Sequence, residues 1–334
     1  MGEHINHNHS PMATIVSVTL SFFYSLFFVT NSIFVNFNPI PENPLDDLLR
    51  TLQLSKLESK TDAEDLFEGP SQWMPHGRVY GGQVLAQSLV AATNTVDTEG
   101  IRNVHSLHGY FLRPGDIDLP ITFSVDRLRD GRSFSTRRVQ AFQNGQAIFS
   151  MIASFQDTDP GLDHQDSFPA DIPDPETLPT AAELLGDSEH PVVQYWAKAR
   201  PFDMRHVTSP IYFKVDGEHV AHQAVWLKAL GTLPDDPQIH RAAMAYASDY
   251  SILESIYRRH GIAWSHRGLK SASLDHAMWF HRDGRADEWM LYVQESPSAQ
   301  GGRGLSLGRI FNRAGVLLAT VAQEGMVRVP EFAD

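Results

Sequence analysis

The two halves of this 334-residue chain repeat one plan, a helix followed by four strands, and this repeat constrains the fold more than any other sequence feature. In the first half, VYGGQVLAQSLVAATNTV (79–96) carries apolar residues every three or four positions, which is typical of an amphipathic helix. Asp130-Gly131 and Asn144-Gly145 favour tight hairpin turns, because their residues accept positive φ. The pattern therefore predicts four strands, over 104–112, 121–128, 133–142 and 146–156.

The second half follows the same order. Asp236-Pro237 supplies an N-cap residue and a proline at the first helical position, and an apolar stripe predicts one helix from there to His260-Gly261. Ser106-Leu107-His108 parallels Ser273-Leu274-Asp275, and 144–150 parallels 314–320. The four strands of this half are predicted over 271–281, 288–296, 303–311 and 316–329. A helix over 45–58 and a strand over 222–230 complete the prediction.

These elements predict an α+β fold in which an antiparallel sheet wraps around a long central helix in each half, with the two sheets paired edge to edge. An Asp- and Pro-rich stretch from 157 to about 180 is typical of a connector. We predict an N-terminal extension over 1–44, a first unit over 45–157, a linker over 158–206 and a second unit over 207–334.

The amino-acid composition limits which catalytic and metal-binding groups the chain can use. The chain has no cysteine, which excludes thiol nucleophiles, Cys-ligated zinc, iron–sulfur clusters and disulfides. Its net charge of −13 argues against non-specific binding to nucleic acid. We therefore expect no nucleic-acid partner, no metal and no cofactor, and chemistry based on hydroxyl, carboxylate, amide or imidazole groups.

One segment departs from this soluble composition. Residues 4–41 contain no Lys, Arg, Asp or Glu, and 15–29 (IVSVTLSFFYSLFFV) is strongly apolar. A signal or membrane anchor is the less favoured interpretation, since the run is short and no basic residue precedes it. A poorly ordered extension or a misassigned start is favoured, so membrane contact is expected only through this segment, if at all.

Six strings in order, RVYGGQVLAQSLVAA, VHSLHGYFLRPGD, YASDYSIL, SLDHAMWFH, RGLSLGRIF and VAQEGMVR, resemble the type II acyl-CoA thioesterases. This resemblance spans about 45–329. It implies a double hotdog fold, two tandem hotdog units, and hydrolysis of acyl-CoA to free fatty acid and coenzyme A. It also implies a homo-oligomer in the peroxisome or cytoplasm, although the chain ends Glu-Phe-Ala-Asp and has no peroxisomal C-terminal tripeptide.

The resemblance implies that Asp249, Ser273 and Gln323 hold the attacking water. The three groups are chemically complementary. The carboxylate accepts a proton, the hydroxyl both donates and accepts a hydrogen bond, and the amide is a fixed donor. Coenzyme A phosphates require cations, and an acyl chain requires apolar surface. The candidates for these contacts are Arg113, Arg132, Arg303 and Trp279.

Three alternatives stay open at this point. A non-catalytic acyl-CoA sensor would not need a water-positioning set. A hotdog enoyl-CoA hydratase would carry Asn-Pro and His after its Asp, whereas Asp249 is followed by Tyr-Ser-Ile-Leu. Gly304-Leu305-Ser306-Leu307-Gly308 matches the nucleophile elbow of serine hydrolases, but no histidine follows His281 and the alternating pattern predicts a strand.

Overall fold

The computed structural model describes residues 40–59, 64–96, 102–186 and 188–332. The apolar segment over 15–29 therefore lies outside the described residues. No helix within the described ranges is long and apolar enough to cross a bilayer. The first half contains helices α1 (Pro44–Leu52) and α2 (Gly81–Thr93), and strands β1 (Ser55–Leu57), β2 (Glu64–Gly69), β3 (Asn103–Phe111), β4 (Ile121–Asp130), β5 (Phe134–Gln143) and β6 (Gln146–Gln156).

The second half repeats the pattern, but more helices and strands precede its central helix. Its helices are α3 (Ala181–Leu185), α4 (Pro191–Gln194), α5 (Pro237–Ser248) and α6 (Glu254–Arg259). A π-helical turn spans Tyr195–Ala199, and 3-10 turns span Pro175–Thr177 and Pro330–Phe332. Its strands are β7 (Phe202–His206), β8 (His222–Ala229), β9 (Lys270–Ser273), β10 (Asp275–Phe280), β11 (Met290–Gln300), β12 (Arg303–Asn312) and β13 (Leu317–Arg328).

The strands of the described residues form one antiparallel sheet, in the order β1-β2-β4-β5-β6-β3-β10-β13-β12-β11-β8-β7, with β9 paired to β13. The two halves join where β3 pairs with β10, for example at Leu107 and Met278. Both residues are fully buried. The predicted edge-to-edge pairing of two antiparallel sheets is confirmed.

The central helices α2 and α5 pack against each other, and α2 also lies on β3 to β6. Gly82 makes this close approach possible, since a Cβ added there would lie 2.3 Å from the Tyr246 carbonyl oxygen. The start of α2 therefore meets the end of α5. This crossing places the N-terminal amides of one repeat's helix beside the C-cap of the other's.

Two predicted helices were too long. The helix predicted over 45–58 ends at Leu52, and the chain turns into β1. The helix predicted from Pro237 to His260 is interrupted after Ser248, so Asp249 is a C-cap residue and not an interior one. Side chains from other elements bind the last carbonyls of α5: Tyr80 donates to the Tyr246 oxygen at 2.9 Å and Tyr292 to the Ser248 oxygen at 3.1 Å. These carbonyls have no helical partner of their own, so side-chain donors satisfy them.

The strand predicted over 271–281 is divided at Leu274 into β9 and β10. The first repeat has a matching irregularity in β3, where the pairing register with β6 shifts between Val104 and Ser106. Leu274 donates to the Glu324 oxygen and accepts from the Phe111 amide, each at 2.9 Å, so its backbone bonds reach two different strands. A bulge of this kind redirects side chains and is common beside active sites.

The hydrogen bonds also correct the predicted alignment of the repeats. The amides of Leu112 and Arg113 both donate to the Ile148 oxygen, and those of His281 and Arg282 donate in the same way to the Leu318 oxygen. Ser273 therefore corresponds to Val104 and His276 to Leu107, two positions away from the sequence-based alignment. The match of 144–150 with 314–320 agrees with the register shifts in the β5–β6 and β12–β13 hairpins, which lie at equivalent positions.

The segment predicted as a linker over 158–206 contains α3, α4 and β7, and β7 pairs with β8. Part of this segment packs on the outer face of the half of the sheet that the second repeat contributes. The ring of Phe168 lies 5.6 Å from that of Phe311, and Trp226 donates to the Pro173 oxygen at 3.0 Å. The domain boundaries themselves remain predictions.

Candidate active site

Asp249, Ser273 and Gln323 lie on three separate elements and meet in one hydrogen-bonded triangle. Ser273 Oγ donates to Asp249 Oδ1 at 2.9 Å. Gln323 Nε2 donates to the same oxygen at 2.9 Å and to Ser273 Oγ at 2.9 Å. Both hydrogens of the Gln323 amide are therefore used, and Asp249 Oδ1 accepts two hydrogen bonds. The predicted residues form a single polar cluster.

The first repeat contributes the start of α2 to this cluster. A Cβ on Gly81 would lie 2.6 Å from Asp249 Oδ2, and the Gly82 backbone amide favours the charged form of the carboxylate. The N-cap residue of α2, Tyr80, makes no capping hydrogen bond of its own. The positive end of a helix stabilises a nearby anion, so the Asp249 carboxylate takes the place of a capping side chain. The site is built from both repeats.

The electrostatics of Asp249 reflect two opposing effects. Burial raises the pKa of its carboxyl group above the ordinary value, while His276, Gln323, Ser273 and the Gly82 amide oppose that rise. A carboxylate with a raised pKa is a stronger base than one in water. Since its Oδ1 is already occupied by two donors, Oδ2 is the atom with capacity to accept a further proton.

Sequence reasoning missed His276, which lies behind Gln323. Its Nδ1 is 2.5 Å from Gln323 Oε1, and its Nε2 is 3.0 Å from Ser248 Oγ. An amide oxygen only accepts, so Nδ1 must carry a hydrogen, and this bond directs the Gln323 amino group towards Asp249 and Ser273. Burial lowers the pKa of His276. A usable signal was present, because period-two alternation with Met278 places His276 on the core face of its strand.

The four other candidates do not contact this triangle. Arg113 is exposed and donates to the Ala147 oxygen at 2.8 Å. Arg132 is exposed in the turn after β4, and Arg303 is exposed and paired with Glu324 at 3.0 Å. Trp279 lies on the side of β10 opposite His276 and packs edge-on against His108. A role for these residues in substrate binding remains a prediction.

Ser306, the centre of the apparent nucleophile elbow, lies within strand β12 as expected. It is buried, and its Oγ shares a hydrogen bond with Ser255 Oγ at 3.0 Å. A strand interior does not provide the sharp strand-to-helix turn that an elbow requires. Within the described ranges, no group of three or more His, Cys, Asp or Glu side chains is arranged to hold a metal ion.

Comparisons with known proteins agree with this architecture. Residues 197–326 match the family model described as acyl-CoA thioesterase, and residues 69–156 match the model of the acyl-CoA thioesterase N-terminal domain. The chain is 40% identical to human acyl-coenzyme A thioesterase 8, over 87% of this chain and 94% of that protein. It is 36% identical to acyl-CoA thioesterase 2 of Haemophilus influenzae, over 86% of this chain and 99% of that protein.

A solved structure extends the comparison to the fold. The crystal structure of an acyl-CoA thioesterase II from Mycobacterium marinum superposes with a TM-score of 0.67 at 43% identity, covering 85% of this chain and 98% of that one. A protein with a hotdog fold from Alicyclobacillus acidocaldarius superposes with a TM-score of 0.68 at 18% identity, which supports the fold alone. The expected double hotdog fold is confirmed, and the chain belongs to the acyl-CoA thioesterase family.

Proposed function

We propose that this protein hydrolyses acyl-CoA thioesters to a free fatty acid and coenzyme A, using a water activated by Asp249 and positioned by Ser273 and Gln323. The observation that supports this assignment is the hydrogen-bonded triangle of these three side chains at the start of α2. The names of the related acyl-CoA thioesterases support the same reaction class. A binding protein without catalysis would have no use for such a set.

In the proposed reaction, one hydrogen of the water is accepted by Asp249, at Oδ2. The second is accepted by Ser273 Oγ, which retains a free lone pair after its bonds to Asp249 and Gln323. The water oxygen then adds to the thioester carbonyl carbon as its proton passes to Asp249. The tetrahedral intermediate collapses, the carbon–sulfur bond breaks, and the coenzyme A thiolate leaves and takes up the proton. No covalent acyl-enzyme is required, since a thiolate is a good leaving group.

The negative charge that develops on the carbonyl oxygen needs stabilisation. We assign this to the positive end of α2, where Gly81 and Gly82 begin the helix beside Asp249. Because these glycines have no side chain, Asp249 and the end of α5 pack closely against this helix end. The central helix of the first repeat would thus complete a site whose side chains come from the second.

We propose His276 as a positioning residue in this mechanism. Its Nδ1 hydrogen holds the Gln323 amide oxygen, so the amide cannot rotate and present its oxygen to the carboxylate. A rotated amide would replace a donor by an acceptor next to Asp249, which is repulsive. His276 is therefore expected to influence turnover without touching the substrate.

The test is a thiol-release assay with one medium-chain and one long-chain acyl-CoA. The proposed function requires release that depends on Asp249, while Asp283→Asn, which changes an exposed acid paired with Arg241, keeps full activity. Binding of both substrates without thiol release would instead favour the acyl-CoA sensor. The homo-oligomer and the peroxisomal or cytoplasmic location remain predictions.

A further inference from the structure

Two cations lie directly opposite each other where β9 pairs with β13. Lys270 on β9 and Arg328 on β13 are partners in the strand register, and both are exposed. Like charges at directly opposite positions destabilise a sheet. Within the part of the chain that the structure describes, neither side chain forms an ion pair. Such a pair attracts an anion, because a bound negative charge relieves the repulsion.

The first repeat contains a like-charged pair that is compensated. Arg127 and Arg137 lie opposite each other between β4 and β5. Arg127 pairs with Asp65 at 2.8 Å, and Arg137 pairs with Asp130 at 2.7 Å. Each cation of this pair therefore has its own acid, and the pair between β9 and β13 differs by having none.

A third cation lies beside the β9–β13 pair, at the tip of the hairpin between β11 and β12. A Cβ added to Gly302 in this turn would lie 3.4 Å from Arg328 Nε, and one added to Gly301 would lie 3.9 Å from Arg303 Nη1. Glu324 accepts from Arg303 Nε at 3.0 Å and balances one charge. The cation cluster consists of Lys270, Arg303 and Arg328. Three cations and one acid leave a local excess of positive charge on a chain whose net charge is −13.

The cation cluster lies on the strands that carry two residues of the proposed active site. Lys270 precedes Ser273 by three residues on β9, and Arg328 follows Gln323 by five residues on β13. At the rise of an extended strand, these separations are about 10 Å and about 16 Å. The pantetheine arm of coenzyme A is about as long as four extended residues, roughly 14 Å. A thioester held at the triangle therefore has its phosphates within reach of the cluster.

The triangle and the cation cluster lie on opposite faces of the sheet, and the edge of β9 separates them. Side chains alternate along a strand, so Lys270 and Arg328 point outwards while Ser273 and Gln323 point inwards. Among the described strands, β9 pairs with β13 alone, so its second edge is open. An extended arm can pass around this edge, from the triangle to the outer face.

We propose that the cation cluster is the subsite for the phosphates of the coenzyme A nucleotide. Phosphate oxygens are strong acceptors of charge-assisted hydrogen bonds from guanidinium and ammonium groups. The nucleotide carries several negative charges, so a set of neighbouring cations matches it better than one isolated cation does. The inference rests on the proposed function and specifies where the protein binds the nucleotide half of that substrate.

The test compares decanoyl-CoA with S-decanoyl-pantetheine, which has the same thioester and arm but lacks the nucleotide and its phosphates. The double variant Lys270→Gln, Arg328→Gln should lower the ratio of their kcat/KM values by about 10- to 100-fold, chiefly through a higher KM for decanoyl-CoA. The control Lys56→Gln, Arg127→Gln removes two cations that pair with Asp65 at the far edge of the sheet, and should leave the ratio unchanged. A ratio unaffected by the first double variant would overturn the subsite.

This double variant should fold, because both side chains are exposed and their removal relieves repulsion. Binding of the thioether S-decyl-CoA, measured by calorimetry, separates the inference from the proposed function. Weaker binding in the double variant supports the subsite even if decanoyl-CoA is not hydrolysed, whereas equal binding contradicts it. Loss of binding to phosphatidylserine vesicles, with thioether binding unchanged, would assign the cluster to a lipid surface and would also contradict the subsite.

Discussion

The two repeats place different chemistry at equivalent positions. The central helix of the first repeat ends at the exposed Asn94, and that of the second ends at Asp249. The positions of Ser273, His276 and Gln323 in the second repeat correspond to Val104, Leu107 and Ala153 in the first, all buried and apolar. The first repeat therefore has an ordinary core where the second has a polar cluster.

This difference shows that the two repeats contribute different parts of the site. The second repeat accepts the cost of burying polar groups, which is acceptable because each is hydrogen-bonded to another. The first repeat supplies a glycine-opened helix end that approaches closely. A single repeat would lack either the carboxylate or the helix end that faces it, so the pairing of the two is part of the mechanism.

The largest expected effect comes from making the second repeat resemble the first at its helix end. Asp249→Asn removes the proton acceptor and should lower kcat by about 10²- to 10⁴-fold. Thermal stability at neutral pH should be equal or higher, because burial disfavours the charged form of Asp249. Acyl-CoA hydrolysis and thermal unfolding measure the two effects.

The reciprocal change, Asn94→Asp, is the matched control. It places a carboxylate at the equivalent helix end of the first repeat, where Val104 and Ala153 offer no side-chain donor. Wild-type activity is expected for this variant. Near-normal turnover in Asp249→Asn would remove Asp249 from the mechanism.

His276→Leu substitutes the residue that occupies the equivalent position in the first repeat, Leu107. The Gln323 amide would then be free to rotate, and kcat should fall by about 10- to 100-fold with little change in KM, as expected for a misplaced catalytic group. His276→Asn offers an amide hydrogen near the position of Nδ1 and should recover part of kcat. Equal losses in the two variants would indicate a packing role only.

Much of this organisation is readable from the sequence, and the gaps have physical causes. The hairpin turns and the helix opened by Asp236-Pro237 are local signals, so the order of one helix and four strands in each half was predicted, whereas β1, β2, β7, α3 and α4 were not. The end of α5 at Ser248 was not predicted, because the carbonyls of its last turn are bound by the distant Tyr80 and Tyr292. A displacement of two residues in the repeat alignment preserves the alternation of faces along a strand, so the pattern alone could not detect it.

The candidate site shows the same limit. Asp249, Ser273 and Gln323 were selected through motifs, and the structure brings them together. His276 was not selected, because its hydrogen bond to Gln323 joins two strands that are distant in the sequence. Contacts of that kind depend on tertiary packing and leave no periodic signature.

The contact between the repeats can be tested at Gly82. Gly82→Ala places a methyl group 2.3 Å from the Tyr246 oxygen, so the helices must separate or shift. We expect a loss of about 1–3 kcal/mol in the free energy of unfolding, typical of overpacking. Gly161→Ala is the control, since no atom lies within 4 Å of the added Cβ. Equal stability of both variants in denaturant titrations would show that the crossing tolerates a wider spacing.

The smallest expected effect concerns pH. Since burial raises the pKa of Asp249, the acid limb of kcat/KM should lie above the ordinary aspartate value, and activity should fall as the carboxylate is protonated. His276 and Gln323 oppose that rise, so His276→Leu should move the acid limb to still higher pH.

Folded Asp249 binds its proton more tightly than the unfolded chain does, so its ionisation removes stability as pH rises between the two pKa values. Asp249→Asn should abolish this contribution, whereas Asn94→Asp, at the exposed helix end of the first repeat, should leave the acid limb in place. An acid limb that stays fixed in His276→Leu would show that His276 does not set the pKa of Asp249.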